Sequence, residues 1–171
     1  VVFLILILLL VVWQPHLGLA NAEYPTTEVT LYAHTDPSAT SVNGHVLTLV
    51  GNATSRQSAD VRSGLSFTLV PPLSAPLHVV GRIDAIVWLQ AQQSVRGTLQ
   101  VTISELTANG SATEITYGSV TVPVSSFPYQ VQFGMGSVNY TLPAGSTIGF
   151  EIQFSPIGTV PVMLLWDNPS T

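Results

Sequence analysis

The chain has 171 residues, enough for one domain with a hydrophobic core, and 46% of its residues are hydrophobic while its net charge is only -5. This composition excludes intrinsic disorder, and the lack of lysine with only four scattered arginines excludes a basic surface for nucleic acid. The absence of cysteine excludes a disulfide framework and a thiolate metal site.

The N-terminal residues 1–12 form an unbroken apolar run, too short for the roughly 20 residues of a membrane-spanning helix. The small-x-small motif Ala20-Asn21-Ala22 follows, and together these features predict a signal peptide over residues 1–22, cleaved before Glu23. Alternatively, the run is a buried strand or stays attached and assembles subunits into a filament. Export predicts an extracellular or cell-surface location, with membrane contact only during export or through an anchor outside this chain.

Strand patterning begins after this segment. Residues 23–44 are expected to form a short strand at 29–34 and then a loop or short stalk rich in Ser, Thr and Pro. Residues 45–171 are expected to form the main domain, and the strand at 29–34 is expected to join its sheet. From Val29 onward apolar residues tend to alternate with polar ones, which is typical of strands with one buried face.

About ten strands are predicted in total. The clearest two contain Leu99 to Ile103 and Ile148 to Phe154. The others lie at 29–34, 45–50, 64–70, 76–90, 113–122, 129–134, 138–142 and 160–166. Turn sequences such as Asn109-Gly110 separate them, so the fold predicted is all-β, an antiparallel two-sheet β-sandwich of jelly-roll type, with a closed barrel as the alternative.

The alternation also predicts which side chains are buried. The pleat sends successive side chains to opposite faces of a sheet, so one set of residues shares the core. The residues expected in the core are Leu99, Val101, Ile103, Ile148, Phe150, Ile152 and Phe154. Those expected to face solvent or a partner are Gln100, Thr102, Glu151 and Gln153.

The order of segments over residues 76–154 carries a family resemblance. Its carriers are Pro76-Leu77, Gly81, the strand Ile83 to Leu89, the strand Leu99 to Glu105, Ala108-Asn109-Gly110, Tyr117-Gly118 and Leu142-Pro143-Ala144-Gly145 before Ile148. This order resembles the galactose-binding-like jelly-roll modules of secreted hydrolases, including the C-terminal domain of X-prolyl dipeptidyl peptidase relatives. The sequence departs from that family at Ser146 and Thr147, where His and Arg are common. The resemblance implies a fold and a role in binding or packing beside another domain.

Catalytic chemistry is not predicted, because the sequence has no G-x-S-x-G turn to present a nucleophilic serine. No zinc-binding spacing connects the four histidines, which are His16, His34, His45 and His78. The chain is therefore expected to be neither an enzyme nor a metal or cofactor protein, although a structural calcium ion stays open. The carboxylates available for calcium are Asp36, Asp60, Asp84 and Asp167.

Two tryptophans and one carboxylate are the candidates for ligand binding. Sugar rings stack on aromatic faces while their hydroxyls bond to polar groups, and this points to Trp88, Trp166 and Asp167. The alternative for both rings is packing in the core or at a sheet edge. Three N-x-[ST] motifs predict glycosylation of Asn52, Asn109 and Asn139.

These observations predict a non-enzymatic extracellular module with a structural or interaction role at a cell surface. Its expected partners are other surface proteins or glycans, and nucleic acid is excluded. One alternative is a carbohydrate-binding or accessory domain of a larger secreted hydrolase. The other is a filament subunit that uses residues 1–12 for assembly.

Overall fold

Strands and connecting turns make up the part of the chain that the computed structural model describes, which is residues 5–10, 27–36, 45–49 and 57–166. The strands there are β1 (Ile5–Leu10), β2 (Thr27–Thr35), β3 (His45–Thr48), β4 (Gln57–Asp60), β5 (Leu65–Leu69), β6 (Leu77–Ala91), β7 (Val95–Leu106), β8 (Ala112–Val124), β9 (Tyr129–Leu142), β10 (Thr147–Pro156) and β11 (Val162–Trp166). None of these residues lies in a helix long and apolar enough to cross a membrane.

The strands form two layers around one core. The four-stranded layer has the order β5-β10-β7-β8, and the second layer, called the β6 layer here, contains the remaining strands. Strand β6 pairs with β9 on one side and with β1 and β11 on the other. A short parallel pairing of β3 with β5 joins the layers, and every other pairing among the described strands is antiparallel. The all-β sandwich predicted from the sequence is confirmed.

The predicted alternation of β7 and β10 is confirmed as well. All seven residues expected in the core are at most 3% exposed and belong to one hydrophobic cluster. The register pairs Phe150 with Ile103 and Ile152 with Val101, which puts both apolar sets on the same face of the four-stranded layer. The opposite face carries the polar set, in which Glu151 and Gln153 are exposed and Gln100 and Thr102 are half-buried.

Strand β9 is longer than the sequence indicates. Two strands were predicted at 129–134 and 138–142, whereas the structure has one strand that runs through both. Its register against β6 shifts by one residue, so that Met135 is an extra residue between the pairs formed by Gly134 and Gly136. Gly136 has a φ of 99°, which is accessible to glycine at little cost, and the resulting β-bulge turns Met135 into the core at 5% exposure.

Side-chain hydrogen bonds join the layers at the edge away from β3 and β5. The Tyr140 hydroxyl in β9 donates to the Glu105 carboxylate in β7 over 2.6 Å, and Glu105 is only 7% exposed. This hydrogen bond raises the pKa of Tyr140, with burial adding in the same direction. In addition, the Thr116 hydroxyl in β8 donates to the Met135 carbonyl in β9 over 2.8 Å. A buried carboxylate is thus supplied with a donor from the facing layer.

The apolar N-terminal run contributes one strand to the sheet. Strand β1 pairs with β2 along its whole length and with Ile83 to Ile86 of β6, and so it lies between these two strands. For residues 5–10, this pairing agrees with the alternative in which the apolar run is a strand. The predicted cleavage site before Glu23 lies outside the described residues, and the signal peptide stays a prediction.

Candidate functional site

The predicted ligand-binding residues do not form a common site in the described part of the chain. Trp88 in β6 is half-buried, with Gln130 of β9 and Leu165 of β11 as its cross-strand neighbours. Trp166 in β11 is 3% exposed, and its indole nitrogen donates to the Thr35 hydroxyl over 3.0 Å. Asp167 lies outside the described residues. A sugar could not stack on Trp166 in this arrangement, because core residues cover its ring.

Trp166 instead belongs to an aromatic cluster at the junction of the layers. Its ring meets those of Phe67 and His45 edge-on, with centroids 5.5 Å and 5.4 Å away. His45 lies in β3 and Phe67 in β5, the two strands that pair in parallel. The His45 Nδ1 atom is buried and has no hydrogen-bond partner in the described structure. The cluster stabilises the junction by packing.

Two of the four carboxylates considered for calcium form ion pairs with arginines, and Asp167 lies outside the described residues. Asp60 forms an ion pair with Arg62 at 2.5 Å, and Asp84 forms one with Arg82 at 2.8 Å. The Arg62 side chain hydrogen-bonds to Asp60 and thereby lowers the pKa of that carboxyl group. Among the described residues, no three His, Asp or Glu side chains come together as a metal site. Structural calcium stays an untested prediction.

Two of the three predicted glycosylation sites are on the surface. Asn109 is exposed in the turn between β7 and β8, where its side-chain oxygen accepts hydrogen bonds from the Thr107 hydroxyl and the Ser111 amide. Asn139 is exposed in β9, opposite Val80 of β6. Asn52 lies outside the described residues. Modification of these asparagines stays a prediction.

One end of the sandwich presents exposed apolar side chains. Phe127, in the turn between β8 and β9, is 77% exposed, and Ile157, directly after β10, is 76% exposed. Tyr129, the first residue of β9, is 40% exposed. These three residues are called the apolar end below. Covering large apolar side chains that are exposed to this degree lowers the free energy of the system, so such residues favour contact with another surface.

Backbone and side-chain hydrogen bonds hold the apolar end in place. The Ala91 amide donates to the Ser125 carbonyl over 2.8 Å, and the Gln90 side chain donates to the Ser126 carbonyl over 2.7 Å. On the other side, the Ile157 amide donates to the Arg96 carbonyl over 2.7 Å. Both turns are therefore fixed to the ends of β6 and β7, so a partner would meet a preorganised surface.

A second surface lies on the outer face of the four-stranded layer. Here the side chains of Gln100, Thr102, Tyr117, Glu151 and Gln153 surround a depression of about 200 Å³. These side chains come from three neighbouring strands, β7, β8 and β10. The depression and the five residues that line it are called the polar groove below. The Gln100 amide donates to the Tyr117 hydroxyl over 3.0 Å, which fixes the tyrosine at the rim.

Neither surface was predicted as a site, although the sequence contains a signal for each. Phe127 lies between Ser126 and Pro128 in a turn, where a large apolar residue has no core to enter. Tyr117 is in phase with Ser119 and Thr121 and out of phase with the apolar Val120 and Val122, so alternation puts the tyrosine on the outer face. What the sequence does not provide is the arrangement of Tyr117 next to Glu151 and Gln153, because these strands are far apart along the chain.

Comparison with known proteins gives a family and a fold. The sequence profile of the family described as the X-Pro dipeptidyl-peptidase C-terminal non-catalytic domain matches residues 14–160. Comparison with curated proteins gives no significant match.

Several solved hydrolases contain a similar fold. A CocE/NonD family hydrolase from Staphylococcus aureus is similar over 72% of this chain and 32% of its own, with a TM-score of 0.63 and 12% identity. An α-amino acid ester hydrolase is similar over 71% of this chain and 32% of its own, with a TM-score of 0.55 and 13% identity. An aminopeptidase from a marine sediment Thaumarchaeota archaeon is similar over 61% of this chain and 24% of its own, with a TM-score of 0.54 and 14% identity. The chain thus spans a third or less of the length of these proteins.

Proposed function

Because this chain belongs to the family of X-Pro dipeptidyl-peptidase C-terminal non-catalytic domains, we propose that it is an accessory domain that packs against the catalytic domain of a hydrolase. The resemblance inferred from residues 76–154 is confirmed, and the match is wider, over residues 14–160. Family membership is the observation that carries the proposal. The solved relatives support it, since each is a hydrolase of which the sandwich forms a minor part.

We assign the docking surface to the apolar end. Covering a large apolar side chain contributes roughly 1.5–3 kcal/mol, and Phe127 and Ile157 each expose about three quarters of their surface. A stable interface buries about 1,200–2,000 Å² in total, so these two residues would form its centre and neighbouring polar groups its rim. Two arginines lie beside this end and belong to its rim. The Arg96 carbonyl accepts from the Ile157 amide, and the Arg62 guanidinium, which is paired with Asp60, donates to the Thr159 carbonyl over 2.9 Å.

The accessory role was one of the alternatives expected from the sequence, and we favour it over the cell-surface structural module. Our proposal keeps the extracellular location, which the apolar run and the small-x-small motif of residues 1–22 support. The filament alternative is less favoured, because β1 pairs within its own chain in this structure.

The test starts from the gene. Sequencing the full transcript and its genomic neighbourhood identifies a hydrolase catalytic domain encoded in the same reading frame or next to it. That domain and this chain are then expressed as separate tagged proteins, and their affinity is measured by titration calorimetry. We expect a stable complex in which only the catalytic domain hydrolyses an aminoacyl ester or X-Pro substrate.

The variant Phe127→Ser combined with Ile157→Ser should weaken the complex by about tenfold or more, since it removes the apolar centre of the interface. Leu49→Ser is the matched control, because Leu49 is 65% exposed and follows β3 at the opposite end of the sandwich. A genome without such a catalytic domain would contradict the proposal. So would equal affinity of the double variant and the parent chain, or hydrolysis by this chain alone.

A further inference from the structure

The polar groove has a chemistry that the docking role does not use, and we propose that it binds a neutral oligosaccharide. This inference does not depend on the proposed function, since the groove lies on the outer face of the four-stranded layer and not at the apolar end. Its lining combines amide, hydroxyl and carboxylate groups with one aromatic ring. These are the groups that bond to sugar hydroxyls and cover the apolar face of a sugar ring.

The hydrogen-bonding capacity of the groove is largely unused within the described part of the chain. The side chains of Thr102 and Glu151 make no hydrogen bond there, whereas Thr98, on the same face of β7, faces the Thr121 hydroxyl at 3.3 Å. The Gln153 amide makes only a long bond of 3.4 Å to the Arg62 carbonyl. A ligand with several hydroxyl groups could replace water at each of these positions.

The charge of the groove selects among such ligands. Among the described residues that line it, Glu151 is the only charged one, and none is an arginine or a histidine. An anionic ligand would be repelled by this carboxylate and would find no cation to pair with. A carboxylate is at the same time a strong acceptor for neutral hydroxyl donors. The groove therefore favours neutral sugars over phosphates, sulfated sugars or uronic acids.

Tyr117 supplies the aromatic surface. It is 43% exposed, and the bond from Gln100 to its hydroxyl limits its movement, so little entropy is lost when a ligand covers the ring. The side chain leaves β8 at the rim, while Thr102 of β7 lies between it and Glu151 of β10. A sugar ring on Tyr117 can thus reach the carboxylate across one intervening strand, since adjacent strands are about 4.8 Å apart.

The groove has room for more than one sugar unit. A second depression of about 100 Å³ adjoins it and shares Thr102 and Glu151 with it. It continues past Ser104 to Gly149, which is buried and against which the Leu106 side chain packs. From Gln153 to Gly149 the strand rises about 13 Å at roughly 3.3 Å per residue. An oligosaccharide lying along β10 fits this length better than a single sugar.

The test is calorimetric titration of the full chain with a panel of linear oligosaccharides. The neutral probes are hexasaccharides of glucose, xylose, mannose and galactose, and a galacturonic acid oligomer is the anionic probe. We expect saturable binding of at least one neutral probe and none of the anionic one. Tyr117→Ala should weaken that binding by about tenfold or more, and Glu151→Gln by about threefold or more.

Tyr129→Ala is the matched control, since Tyr129 has a similar exposure of 40% but lies at the apolar end. It should bind the sugar as the parent chain does. Thermal melts of all variants confirm that each is folded. The proposal would be overturned if none of the neutral probes bound, or if only the anionic probe did. It would also be overturned if Tyr117→Ala and Glu151→Gln left the affinity for the sugar unchanged. Each of these results leaves the docking proposal standing, because that one is measured with a protein partner.

Discussion

The contact between Gly97 and β10 allows a stringent test of the packing. Gly97 lies in β7, and a Cβ atom added there would come within 2.5 Å of the Phe154 ring and 2.5 Å of the Ser155 carbonyl oxygen. Ordinary van der Waals contacts are near 3.5–4.0 Å, so Gly97→Ala must push β7 and β10 apart or displace the ring. Phe154 is fully buried, which leaves its ring no free space to enter.

The expected cost follows from these two contacts. Adding a methyl group to a well-packed core typically costs about 1–3 kcal/mol, and the backbone oxygen cannot rotate away as a side chain can. We therefore expect Gly97→Ala to lower the free energy of unfolding by about 2–3 kcal/mol. Phe154→Leu should cost less stability in the Gly97→Ala background than in the parent chain, because the smaller side chain relieves one of the two clashes.

Urea denaturation followed by tryptophan fluorescence measures these differences, with Thr98→Ala as the control. Thr98 is the next residue of β7 and points to the outer face, so its substitution should cost less than about 0.5 kcal/mol. If Gly97→Ala were as stable as Thr98→Ala, the close approach of β7 and β10 would be wrong. Additive losses in the double variant would refute the role of the Phe154 ring.

Two further predictions concern the core and the pH dependence. Phe150→Ala should lower the free energy of unfolding by about 3–5 kcal/mol in urea melts, since Phe150 is 1% exposed. Gln153 is exposed, so Gln153→Ala should lower it by less than about 0.5 kcal/mol. Equal losses would contradict the assigned faces. The hydrogen bond from the Arg62 guanidinium lowers the pKa of Asp60 below its ordinary value of 3.8. The Asp60 carboxylate therefore stabilises the fold above pH 3.8, and this stabilisation is lost as the pH falls through the folded-state pKa. Asp60→Asn should therefore be slightly less stable than the parent at neutral pH, and equally stable at a pH where the carboxyl group is protonated. Because the pair is exposed, this difference is at most about 1 kcal/mol, and a larger one that persists in acid would contradict the ion-pair explanation.

The sheet faces were predictable from the sequence wherever a strand has one wet side. In β7 and β10 the apolar residues recur with period two, and this local pattern alone predicts which side chains meet in the core. The break predicted within β9 was wrong for an equally local reason. Gly134 and Gly136 look like a turn, yet the structure uses Gly136 in a bulge that keeps the strand paired with β6.

Strands that depend on distant partners were harder to predict. Strand β4 has the sequence Gln-Ser-Ala-Asp, without any apolar alternation, and it is held by antiparallel pairing with β11 more than a hundred residues later. Trp166 illustrates the same limit for function. An aromatic residue at the end of the last strand is compatible with a ligand site or with packing, and only the positions of Phe67 and His45 decide for packing.

The two proposed surfaces can be occupied at the same time, and this has a functional consequence. Gln153 of the polar groove and Ile157 of the apolar end are four residues apart, which corresponds to about 13 Å along an extended chain. The groove opens on a sheet face, whereas the apolar end consists of two loop residues and the first residue of β9, at the end of the strands. A hydrolase domain docked on the loops would therefore approach from a different direction than a ligand in the groove. If both proposals hold, the sandwich links a catalytic domain to a saccharide surface, and the activity of the docked hydrolase near an immobilised polysaccharide should depend on Tyr117, whereas its activity in free solution should not.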